Sequence, residues 1–158
     1  MAKARYYLPD EPAPTSMSRY AVDPIWPLLA LMLGNNAIGL AWFAFNTVAL
    51  GTPAKTREYA YIAVSLAGSA AIFAALLAIH NAGFLHGSEL RYAALSLTAL
   101  KLCMAYALYL QQHRSFEIWE YYGGKAANGL PVLILAYLAA RGLAHMGMMP
   151  IMVAAVVQ

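Results

Sequence analysis

Residues Tyr59–Ala82, YAYIAVSLAGSAAIFAALLAIHNA, contain no Asp, Glu, Lys or Arg. A helix needs about 20 apolar residues to cross the ~30 Å hydrocarbon core of a bilayer, and this run has that length without a break. Further gaps in charge flank it. One extends from Pro24 to Ala54, one lies between Tyr92 and Arg114 interrupted only by Lys101, and one runs from Ala126 to Gln158 interrupted only by Arg141. These gaps predict four spans, near residues 25–50, 59–82, 92–110 and 131–149. Backbone polar groups in lipid must be satisfied within their own segment, which selects helices. Transmembrane strands would alternate in segments of about ten residues, whereas these runs are continuous. The expected fold is an all-α integral membrane protein, a four-transmembrane-helix bundle over residues 24–158 behind a disordered N-terminal tail, residues 1–23.

Composition agrees with that class. Hydrophobic residues make up 62% of the chain and charged residues 11%, against roughly 45–50% and about 25% in soluble domains. Ten Lys plus Arg without a long basic run exclude a nucleic-acid-binding domain, and a single Cys excludes a disulfide scaffold. So apolar a chain is not disordered as a whole.

The boundaries carry amphipathic rings. Trp26, Tyr59, Tyr61, Tyr92, Trp119, Tyr121 and Tyr122 cluster at span ends, the depth at which Trp and Tyr settle. Short loops at Gly51–Glu58 and Gly83–Arg91 hold breakers. Gln111–Tyr122 either continues the third helix beyond the bilayer or lies along its surface, with Phe116, Trp119 and Tyr122 on one face. The tail mixes basic and acidic residues with three prolines, so it reads as a retained extended segment, neither signal peptide nor mitochondrial presequence. Four spans put Lys3, Arg5, Arg19 and Arg91 on one side and Lys55, Arg57, Arg114 and Lys125 on the other, a tie under the positive-inside rule. A free basic tail is easier to leave than to translocate, so the N-terminus is assigned to the cytoplasm.

Helices in lipid associate through small residues and interhelical hydrogen bonds. Ala63, Ala67, Ala71 and Ala75 recur every four residues and predict a packing face. Asn35 and Asn36, beside Gly34, put two amides into the first span. They read as interhelical contacts or as a polar lining. Lys101 lies about 15 Å of helix from either end of its span, where a Lys costs on the order of 3 kcal/mol. No acid falls within any predicted span. Asn35, Asn36 and Asn46 are neutral acceptors for it; a bound anion, a lipid phosphate or another subunit's carboxylate are the alternatives. Tyr137, Arg141 and His145, four apart, form one polar stripe on the last helix. Facing Lys101, that stripe would make a positively charged interior. The candidate site is therefore Lys101, Tyr137, Arg141, His145, Asn35 and Asn36. After Pro131 the apolar run either continues as one tilted helix or breaks near Gly147 and Pro150.

Other chemistry is thinly represented. His80 and His145 offer a bis-His haem, and Met148 and Met152, spaced i, i+4, a soft site for Cu(I). Met equally fills helix contacts, and no cofactor or metal is assigned. Cys103 reads as a small hydrophobe. There is no HExxH, no paired carboxylate on a span and no glycine-rich phosphate loop. Arg114, Glu117 and Glu120 read as a surface ion-pair arrangement.

Asn46-Thr47-Val48-Ala49-Leu50-Gly51-Thr52-Pro53 after an apolar span, with Gly123-Gly124-Lys125 before the last one, resembles a pattern in small uncharacterised bacterial multi-spanning membrane proteins. Those proteins often have a basic residue beside the Asn, where this chain has Phe45 and Thr47. The resemblance implies a bacterial membrane location and no activity, and the expected location is the inner membrane. The expected function is a non-enzymatic accessory or scaffolding subunit of a larger membrane complex, with lipid, other membrane subunits or further copies of itself as partners and no nucleic acid. The alternative is a small oligomeric transporter or channel subunit for an anion or lipid-like substrate.

Overall fold

The computed structural model describes residues 15–84 and 88–145, and the described residues are helical apart from turns and short irregular connections such as residues 124–129. A short 3₁₀ turn, Ser18–Tyr20, precedes α1 (Ile25–Leu33), α2 (Asn36–Leu50), α3 (Lys55–Asn81), α4 (Ser88–Tyr121) and α5 (Leu130–His145). Most of the tail, His86, the side chain of His145 and the Met-rich segment with Met148 and Met152 lie outside the described residues.

Among the described residues two helices are long and apolar enough to cross a membrane: Lys55–Asn81, with mean hydropathy 2.4, and Tyr92–Tyr121 within α4, with mean hydropathy 1.6. They match the second and third predicted spans, and α4 absorbs Gln111–Tyr121 as continuous helix. Leu130–Gly142 is a shorter apolar helix. The first predicted span differs in kind: residues 25–50 are two helices. Gly34 and Asn35 both donate their backbone N–H to the carbonyl of Ala30, ending α1. Asn35 is extended, and its Oδ1 accepts from the N–H of Ala37 at 2.7 Å, starting α2. An Asn side chain competes with the helix for backbone donors and favours caps over helix interiors. The nine residues of α1 and fifteen of α2 are about 14 and 22 Å long, each short of a ~30 Å crossing.

The two pieces fold back on each other. Gly39 of α2 lies so close to α1 that an added Cβ would stand 2.4 Å from Leu31 Cβ and 2.6 Å from its Cα. At the open end, Asn46 bonds the backbone of Val22 on both sides, its Oδ1 accepting from Val22 N–H and its Nδ2 donating to Val22 C=O, each at 3.0 Å. Residues 22 and 46 would be about 36 Å apart on one straight helix. The first span is thus a helical hairpin whose ends share one end of the molecule, with Gly34-Asn35-Asn36 at its tip.

The hairpin packs on α4 through Leu31, Leu40, Phe43, Ala105 and Leu108, and on α5 through Ala30, Trp42 and Ala136. Gly124 and Gly129 receive the rings of Trp119 and Trp26, and Ala127 N–H donates to Ala21 C=O at 2.8 Å. The start of α5 is therefore at the open end of the hairpin. The predicted Ala stripe does not make the α3–α4 contact: Ala63, Ala67, Ala71 and Ala75 are exposed. Gly68 meets α4 instead, its missing side chain admitting Leu100, whose Cδ2 lies 2.8 Å from where a Cβ would be, and Ser65 and Ser69 beside it are buried.

Candidate functional site

The interior carries polar groups in two layers. The first lies at the open end of the hairpin and centres on Glu58, which the charge gaps place in a loop. It sits instead in the first turn of α3 and is fully buried. Glu58 Oε2 accepts from Thr47 Oγ1 at 2.6 Å and from Gln112 Nε2 at 2.9 Å. Gln112, also fully buried, reaches Phe43 C=O at 2.9 Å and Thr47 Oγ1 at 2.8 Å through Nε2, and its Oε1 accepts from Asn46 Nδ2 at 3.2 Å. Gln112 supplies two protons and Thr47 one. Together they suffice for two bonds to the carboxyl and one to the buried carbonyl of Phe43. Lys55 acts on the carboxyl electrostatically, while Glu58 Oε1 is buried without a hydrogen bond of good geometry. The network joins four segments, the chain before α1 with α2, α3 and α4.

The second layer lies at mid-length. The 2.8 Å approach of Gln112 Nε2 to Thr47 Oγ1 sets the parallel register of α2 and α4, and the same offset relates Leu40 to Ala105 and Phe43 to Leu108 within one apolar cluster. The same register puts Asn36, at the hairpin tip, level with Lys101. The antiparallel register of α3 on α4, set by Glu58 with Gln112 and by Gly68 with Leu100, puts Ser69 at that level too. Asn35, Asn36, Ser69 and Lys101 are all buried, Lys101 to 5% exposure. Asn36 Oδ1, Ser65 Oγ and Ser69 Oγ have no hydrogen-bond partner among the described residues. Glu58 is not the acid for Lys101: Lys101 and Gln112 are about 16 Å apart along α4.

The predicted site is thus divided. Asn35, Asn36 and Lys101 share the middle layer. Tyr137 and Arg141 lie on the exposed side of α5, where Arg141 Nη1 donates to Tyr137 Oη at 3.0 Å. The single basic interior expected from facing stripes does not form between Lys101 and Arg141. Among the described residues no group of three or more His, Cys, Asp or Glu is placed to hold a metal ion, and His80 lies at the far, exposed end of α3.

Sequence reasoning missed Glu58, Thr47 and Gln112. One signal was present: Leu97, Lys101, Ala105, Leu108, Gln112 and Phe116 recur at three- and four-residue steps, and all are buried. Gln112 belongs to the same stripe as Lys101. No protein-family model matches the chain, and neither the curated proteins nor the solved structures contain a significant match to it.

Proposed function

We propose that this chain is an integral membrane protein whose α1–α2 hairpin is re-entrant, while α3, α4 and α5 cross the bilayer. On this reading it is a non-enzymatic accessory or scaffolding subunit of a larger complex in a bacterial inner membrane. Arg19, Lys55, Arg57, Arg114 and Lys125 then lie on the side of the hairpin's open end, against Arg91 on the other. Five against one assigns the open end, and with it the N-terminal side, to the cytoplasm.

The observation that carries the subunit reading is Arg141. It stands about 16 Å along α5 from Leu130, on an exposed face shared with Ile134, Leu135 and Leu138, and its one described hydrogen bond is to Tyr137. An Arg at such depth against lipid costs on the order of 3 kcal/mol, a cost that a covering subunit with an acidic or amide group removes. The test is purification in mild detergent followed by mass determination. A hetero- or homo-oligomer is expected, and Arg141→Leu should weaken it at least about tenfold, the scale of a charge-assisted hydrogen bond. A monodisperse monomer, or an oligomer indifferent to Arg141→Leu, would end this reading.

The buried middle layer supports the second reading, a small oligomeric transporter or channel subunit for an anion or lipid-like substrate. The same preparation in liposomes separates the two, because only a conducting subunit gives an anion flux that Lys101→Ala abolishes.

A further inference from the structure

At the open end, outside the Glu58 network, a cleft of about 360 Å³ separates the start of α3 from the last turns of α4. Pro53, Ala54 and Arg57 line one wall, and Gln111, Arg114, Ser115 and Ile118 line the other. The volume falls within the range of small-molecule sites, about 300–1,000 Å³.

The polar groups of this cleft are uncommitted. Ser115 is 95% buried, lines the cleft, and its hydroxyl makes no hydrogen bond among the described residues, not even the frequent back-bond to the preceding helical turn. Gln111 and Arg114 likewise have no side-chain bond to a described residue. Arg57 uses Nε for Tyr61 Oη at 3.2 Å, which steadies the guanidinium and leaves its two terminal nitrogens available. No side chain caps α3, so its partial positive end faces the same region. The acidic residues of these turns stay out of the cleft: Glu58 is sealed in the network, Glu117 pairs with His113 at 3.5 Å and Glu120 is exposed, and none of the three lines it.

Two guanidiniums on opposing walls, with the hydroxyl of Ser115 and the amide of Gln111 on the wall of Arg114, suit a tetrahedral oxyanion with several acceptor oxygens. We infer that this cleft binds the phosphate of a phosphate-bearing ligand, supplied by an anionic phospholipid headgroup or by free phosphate. The chemistry stands independently of the subunit reading, because it uses only groups on α3 and α4 of one chain.

The experiment uses the full-length chain in mild detergent, with dioleoyl phosphatidic acid, dioleoyl phosphatidylglycerol, dioleoyl phosphatidylcholine and inorganic phosphate as separate probes. Binding is read by native mass spectrometry for the lipids and by calorimetry for phosphate. One equivalent of phosphatidic acid or phosphatidylglycerol is expected to bind in preference to phosphatidylcholine. Arg57→Gln and Arg114→Gln should each weaken it at least about tenfold, as for loss of a charge-assisted bond. Ser115→Leu fills the cleft without removing a charge and should abolish binding with the oligomeric state unchanged. Phosphate binding with the same dependence on these residues supports the site with a soluble ligand. Binding that ignores Ser115→Leu, or equal retention of all three lipids together with no phosphate binding, overturns the proposal.

Discussion

Gln112 is the side chain on which most of the buried polar groups converge. It meets Glu58, Thr47, Asn46 and the Phe43 carbonyl, groups from α2 and α3, without itself touching solvent. A buried polar group stripped of its partner costs about 1–3 kcal/mol, and Gln112→Leu strips both the Glu58 carboxyl and the Phe43 carbonyl of a donor. A loss of about 2–4 kcal/mol is expected in unfolding from mixed detergent micelles. In a double-mutant cycle, Glu58→Gln and Gln112→Leu should fall short of additivity by roughly 1 kcal/mol or more, as for partners in one network. Additive losses would mean that the two residues act separately. Glu58 itself was not legible as an interior residue. In sequence it is one more charge bounding an apolar run, and only the cap position of α3, one turn earlier than the charge gap implies, turns it inward.

At the scale of the elements, the hairpin is held by close backbone approach, and the α3–α4 pair by side-chain accommodation. A Cβ at Gly39 would meet Leu31 Cβ, Cα and N, none of which can move without moving α1. At Gly68 it would meet the tip of Leu100, a flexible end. Gly39→Ala should therefore cost about 1–3 kcal/mol, the range for overpacking a fixed site, and Gly68→Ala distinctly less. Chemical denaturation of the two variants in one detergent checks this, and the reverse order would refute the packing account. The break at Gly34-Asn35 was partly readable. Gly followed by Asn is a helix stop followed by a helix start, but the charge-free run from Pro24 to Ala54 is equally long either way. Hydropathy measures length along the chain and is blind to a reversal within it.

For the whole molecule, the hairpin changes which residues share a side. Four full spans would put Ser16 with Phe84, opposite Thr56 and Lys125. The hairpin groups Ser16 with Thr56 and Lys125, opposite Phe84. All four are exposed, so single cysteines at these positions, in a Cys103→Ala background because Cys103 is exposed, should be labelled by an impermeant reagent in the second grouping. Cytoplasmic labelling is expected for positions 16, 56 and 125. The first grouping would restore the four-span bundle and with it the four-against-four tie in basic residues.

The sequence by itself determined that this chain is helical, that α3 and α4 are long and apolar enough to cross a bilayer, and that a basic group sits deep in α4. These follow from local quantities, the length of a charge-free run and the cost of an unsatisfied backbone in lipid, which need no knowledge of neighbours. The tertiary structure decided that residues 25–50 turn back on themselves and that Gly68 receives Leu100 of α4, with Ser65 and Ser69 buried beside it, while the Ala stripe faces outward. It also decided that Glu58 is an interior residue and that Lys101 and Arg141 lie in different surroundings. Each of those outcomes depends on helix register and rotation, set where Asn46 meets Val22, Glu58 meets Gln112 and Leu31 meets Gly39. Such contacts join residues distant in the chain, and no pattern within one segment encodes them.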